Sequence, residues 1–141
     1  DFCLSRGLGD VYKRQIFIIE HELSHDINGS QGKKINKNIN DVMRYIDSNY
    51  MTDINVDNIC KLFSFSSSHF SRLFKQNTGE AFSRYLSKVR LEHAIVLLSN
   101  TDKPIDQIAY ECGFKSTSYF SYAFKKEFLV SPLKYRMQMK G

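Results

Sequence analysis

Two groups of residues have types and spacing that could do chemistry. The first is His21-Glu22-Leu23-Ser24-His25, an H-E-x-x-H pattern. On a helix it places two imidazoles on one face to hold zinc, with the glutamate as general base, as a metallopeptidase needs. The second is a polar set that occurs twice, fifty positions apart: Ser68, Ser71, Arg72, Lys75, and then Ser118, Ser121, Tyr122, Lys125. Each set falls at i, i+3, i+4, i+7, which is one face of a helix. Each copy would therefore present a small, polar, partly cationic front.

The zinc pattern is poorly supported by its surroundings. A catalytic zinc takes a third protein ligand, and His25-Asp26-Ile27-Asn28-Gly29 does not continue into the longer H-x-x-G-x-x-H form. Little chain separates His25 from Asp57, where the repeated part is under way. His69 and His93 have no partners at metal-ligand spacing. There is no glycine-rich phosphate loop and no nucleophile–base pair, so no enzymatic role and no cofactor are expected of the repeated portion. A zinc metallopeptidase piece carrying residues 21–25 stands as the alternative reading.

The polar sets sit on elements that also repeat. Behind them run apolar stripes, Phe70, Leu73, Phe74 and Phe120, Ala123, Phe124. Each copy therefore reads as an amphipathic helix, with Ser66 and Ser116 as expected N-caps. Upstream, Val56-Asp57-Asn58-Ile59-Cys60 resembles Ile105-Asp106-Gln107-Ile108-Ala109 at a separation of forty-nine. The one-residue slip must fall in the turn, at Ser64-Phe65 against Gly113-Phe114-Lys115. A short helix, a turn and a helix with a polar front make a helix-turn-helix, here twice over. Cys60 and Cys112, in or beside the scaffold helices, are expected to be reduced core residues.

Between the copies, residues 81–99 contain no helix breaker. Phe82, Tyr85, Leu86 and Val89 share one face. Leu91, Ala94, Ile95 and Leu98 lie nine positions on, about 180° around the helix. One long helix serving two bodies is expected, about 28 Å from end to end, close to the roughly 34 Å repeat of major-groove faces along a duplex. Ahead of the first copy, Ile39, Val42, Met43, Ile46 and Tyr50 give a helical stripe starting near Asn38. Asn55 caps the scaffold helix 56–63, Gly79 ends the first recognition helix, and Ser131-Pro132 opens a last short one.

The formal net charge is +5. Residues 1–32 hold three Lys/Arg against five Asp/Glu (−2), and the remainder holds 17 against 10 (+7). A basic body of this kind fits a polyanionic partner. The run Ile16-Phe17-Ile18-Ile19 is too short to span a membrane. Ser5 to Gln15 resembles the in-frame translation of a transposon adapter used in sequencing-library preparation, so residues 1–15 are set aside from fold reasoning. The expected organisation is 1–15 adapter, 16–35 the remnant of an upstream domain with its linker, 36–80 a first helix-turn-helix unit, 81–99 a linker helix, and 100–141 a second unit. On this reading the chain is a piece of a longer protein.

Residues 36–137 resemble the C-terminal DNA-binding domain of the AraC/XylS family of transcription regulators. The resemblance is carried by Ile105-Asp106-Gln107-Ile108-Ala109, Cys112-Gly113-Phe114, Ser118-Tyr119-Phe120-Ser121, Phe124-Lys125-Lys126 and Ser131-Pro132-Leu133-Lys134-Tyr135-Arg136, with Tyr85-Leu86, Arg90-Leu91, Ala94 and Leu97-Leu98 in the linker helix. It implies an all-α fold of seven helices, two helix-turn-helix subdomains (homeodomain-like units) joined by a long linker helix. It implies sequence-specific binding of double-stranded DNA, two recognition helices in adjacent major grooves. Ser68, Ser71 and Arg72 match its base-reading positions, with Lys75 near phosphate. In the second unit Ser118, Tyr119 and Tyr122 match, with Lys115, Lys125 and Lys134 toward the backbone. Tyr122 stands where the family often has arginine, so the second unit is expected to discriminate less. RNA polymerase as a partner, a cytoplasmic location, no membrane association, and a small-molecule effector acting only through an upstream domain follow from the same resemblance.

Overall fold

The computed structural model describes residues 33–141, with side chains described from residue 39 on. The described residues form seven α-helices and no strand: α1 (Lys33–Asn49), α2 (Val56–Phe63), α3 (Ser67–Thr78), α4 (Phe82–Asn100), α5 (Ile105–Glu111), α6 (Thr117–Phe128) and α7 (Pro132–Lys140). The all-α, seven-helix expectation is met. The first helix begins at Lys33 rather than near Asn38. Lys33 to Lys37 contains no glycine or proline, and lysine is a good helix former, so the linker-like composition did not stop the helix.

Local chemistry explains most of the ends. Asn55 accepts the amide of Asn58 at 2.9 Å, Ser116 accepts that of Tyr119 at 3.1 Å, and Ser131 accepts that of Lys134 at 3.2 Å, with Pro132 in the first turn. Ser66 stands at its N-cap position in extended backbone but makes no side-chain capping bond. Gly79 closes α3 at φ 80°.

The two turns are built alike. After α2, Ser64 takes a left-handed conformation (φ 61°), and the Phe65 amide donates to the Cys60 carbonyl at 2.9 Å. After α5, Gly113 does the same (φ 95°), and the Phe114 amide donates to the Ala109 carbonyl at 2.9 Å. Phe65 and Phe114 are therefore equivalent, and the residue inserted in the second turn is Lys115.

The chain divides into two compact units, one holding α1, α2, α3 and the start of α4 through Leu86, the other holding Tyr50–Asp53 and residues 87–141. The core of the first takes Ile39, Val42, Met43 and Ile46 from α1, Ile59 and Cys60 from α2, Phe70 and Phe74 from α3, and Phe82, Tyr85 and Leu86 from α4. Tyr85 meets Phe74 edge-on at 5.2 Å. The core of the second takes Leu91, Ala94 and Leu98 from α4, Ile108 and Ala109 from α5, Cys112 and Phe114 from the turn, Phe120, Phe124 and Phe128 from α6, and Tyr135 from α7. Tyr135 meets Phe124 edge-on at 5.6 Å.

The duplication thus reaches further than the two polar fronts. The start of α4 occupies in the first unit the place that α7 occupies in the second, and Tyr85 corresponds to Tyr135. The end of α4 repeats the i, i+3, i+4, i+7 stripe of α1. Val96, in the middle of that apolar half, is exposed, which separates the two stripes.

Candidate nucleic-acid interface

α3 is fixed by its back. Phe70 and Phe74 are fully buried, and burying a phenylalanine side chain is worth about 1.5–3 kcal/mol. Rotating α3 about its axis would expose both rings. The front is therefore held outward, and Ser68, Ser71, Arg72 and Lys75 are all exposed. No carboxylate occurs in α3. Neither Arg72 nor Lys75 has an ion-pair partner among the described residues. This face is a free cationic surface with hydroxyls beside it. His69, next to Ser68, is also exposed and its ring leans toward Phe65 at 6.0 Å.

α6 is pinned in the same way by Phe120, Phe124 and Phe128. Ser118, Tyr119, Tyr122 and Lys125 are exposed, as are Lys126 and Lys134, while Ser121 is half-buried. The front is different in kind. Tyr119 and Tyr122 leave 55% and 62% of their surface in solvent. Their rings lie 6.4 Å apart, and Tyr119 is also supported by Phe114 at 6.1 Å.

Lys115 is exposed in the turn and faces Asp53 at 3.4 Å. Both groups are open to water, so the pair is weak and leaves the ammonium available to a phosphate. Every residue expected at the interface is on the surface. Four fall on the front of α3, four on the front of α6, Lys115 in the turn ahead of α6, and Lys134 in α7.

A support that sequence reasoning did not single out lies beneath the second unit. Arg90 of α4 donates through Nε to the Tyr50 carbonyl at 2.7 Å and through Nη2 to the Thr52 carbonyl at 2.8 Å. The Tyr50 ring stacks on His93 at 3.9 Å. Gly113 passes so close that a Cβ there would stand 2.6 Å from the Tyr50 carbonyl oxygen and 2.9 Å from Arg90 Nε. Burial lowers the Arg90 pKa from its ordinary value, and Asp53 partly offsets this. Burial also pushes the Cys112 thiol up to about 12. The signal available in sequence was the pairing of an arginine inside a long apolar helix with a glycine at a helix end.

No group of His, Cys, Asp and Glu among the described residues could hold a metal. His21, Glu22 and His25 lie outside the described residues, as do residues 1–15. No helix among the described residues is long and apolar enough to cross a membrane.

The model of a helix-turn-helix domain family matches residues 59–138. The transcriptional activator RhaS of Enterobacter is 35% identical over 98 residues, covering 70% of this chain and 35% of its own length. The C-terminal domain of AraT, a response regulator from Geobacillus stearothermophilus, superposes with a TM-score of 0.70 at 34% identity, over 72% of this chain and 84% of that one. The chain belongs to the AraC/XylS family. It carries the DNA-binding domain of such a transcription regulator and is not an enzyme. The AraC/XylS assignment leaves no support for the metallopeptidase alternative. The DNA-binding domain of AdpA, solved in complex with a target DNA, also superposes, with a TM-score of 0.70 at 25% identity over 72% of this chain and 92% of that one. This chain spans less than half the length of the curated relatives it matches.

Proposed function

We propose that α3 and α6 enter neighbouring major grooves of one duplex and that α3 is the stronger reader. The observation that carries this is the pair of repeated helices, each with buried phenylalanines behind and an exposed, hydrogen-bonding or cationic front. Ser68, Ser71 and Arg72 contact base edges. Arg72 donates from its fork to O6 and N7 of a guanine, worth about 1–3 kcal/mol of discrimination. Lys75, Lys115, Lys125 and Lys134 meet phosphates, which fix register without specifying sequence. Ser118, Tyr119 and Tyr122 form the second reading face.

The location we propose is cytoplasmic, where a bacterial-type regulator meets its DNA. Contact with RNA polymerase and control by a small-molecule effector bound to an upstream domain belong to the same proposal. The domain boundaries we propose are 36–80 and 100–141 for the two reading units, with 81–99 between them.

The experiment is a titration of duplex DNA at several salt concentrations, followed by selection from a random pool. Neutralising several phosphates makes log K fall steeply with log salt. Binding that is insensitive to salt, or a selected pool with no preferred bases, would contradict this function.

A further inference from the structure

The two reading faces are built from different chemistry at matched positions. Fifty residues apart, His69 corresponds to Tyr119 and Arg72 to Tyr122. The front of α3 offers nitrogen donors. The front of α6 offers two aromatic rings, each more than half exposed, one helical turn apart and 6.4 Å from centre to centre. The Tyr119 ring is braced by Phe114, itself buried. Aromatic surface of this size on an otherwise hydrophilic helix face is not used by the core behind it, which Phe120, Phe124 and Phe128 already fill.

Of the groups that base pairs present in the major groove, only the thymine C5-methyl is apolar. A tyrosine ring has no fork with which to hold guanine. We propose that Tyr119 and Tyr122 make the second unit a reader of thymine methyl groups, so that the operator is chemically asymmetric: guanine under α3 and thymine under α6. This rests on the DNA-binding function above and names what the second face recognises.

The test uses the whole 141-residue chain and a duplex chosen by selection. Thymines in the half-site distal to the Arg72-dependent guanine are replaced one at a time by uracil, which removes the methyl and leaves every hydrogen-bonding group. At one or two positions binding weakens by about fourfold per methyl lost, the amount expected for one buried methyl-sized group. Replacing the same T·A pair by 5-methylcytosine·G restores part of what C·G loses. Tyr122→Ala or Tyr119→Ala abolishes the sensitivity to uracil, whereas Tyr122→Phe and Tyr119→Phe preserve it. Uracil-insensitive binding throughout that half-site would overturn the proposal. So would phenylalanine variants that lose as much affinity as the alanine ones, because the hydroxyls would then be doing the work. Absence of salt-dependent duplex binding by the unaltered chain would instead remove the underlying function. Both tyrosines are exposed, so circular dichroism and melting of the variants are expected to match the parent.

Discussion

Arg72 and Tyr122 occupy equivalent places and are assigned different tasks. Arg72→Ala is expected to relax preference at one base position and to cost about 1–3 kcal/mol against the preferred site. A randomised-site selection that returns the same motif would count against it. Tyr122→Arg adds a charge to an exposed position, so it should raise affinity for unselected duplexes and steepen the salt dependence, while the selected site loses its thymine-dependent advantage; binding titrations at several salt concentrations check this. Other single residues govern stability. Gly113 has φ 95° and no room for a Cβ, so Gly113→Ala should destabilise by about 1–3 kcal/mol or more in urea unfolding. Ser64 holds an equivalent left-handed turn at φ 61° without being glycine. Ser64→Gly should therefore stabilise or be neutral, within about 1 kcal/mol. The opposite signs at two equivalent positions make the pair informative.

The elements were legible where the sequence carries punctuation. Asn55, Gly79 and Ser131-Pro132 each mark an end that the structure keeps. Ser66 carries the same signal without making the bond, because residue type shows capacity to cap and not the side-chain rotamer. The start of α1 was hidden by a polar, lysine-rich stretch. The wider duplication was hidden by its shifting register. Fifty-two positions separate the α1 stripe from its copy in α4, forty-nine separate the scaffold helices, and fifty separate the recognition helices. A fixed-offset comparison therefore finds only the longest match. The Arg90 clasp left only a faint trace, an arginine inside a long helix and a glycine at a helix end, since its acceptors are backbone carbonyls, which every residue has.

The second unit also carries a pH signature at this scale. Cys112 is raised from 9.0 to about 12 by burial. The folded state keeps the thiol protonated while the unfolded chain ionises, so the stability present below pH 9 is lost as pH rises toward 12. Cys112→Ala should flatten that part of the stability profile relative to the parent. An identical profile, followed by chemical denaturation across pH 8 to 11, would mean the thiol does not contribute. In the native protein Cys112 should also react slowly with thiol reagents at pH 8.

At the scale of the molecule, a single helix-turn-helix pattern occurs twice, with different residues on the exposed front of each second helix. The sequence displayed both fronts by periodicity alone, because a buried phenylalanine stripe leaves the opposite stripe only one direction to face. The chemical difference between the fronts was equally open to reading, in Arg72 against Tyr122. Selection of bound duplexes from a random pool tests the central claim most directly. The account predicts two blocks of base preference whose centres lie about 10 base pairs apart, one containing an Arg72-dependent guanine and the other thymine. One block alone, or two blocks that survive loss of both reading faces, would contradict it.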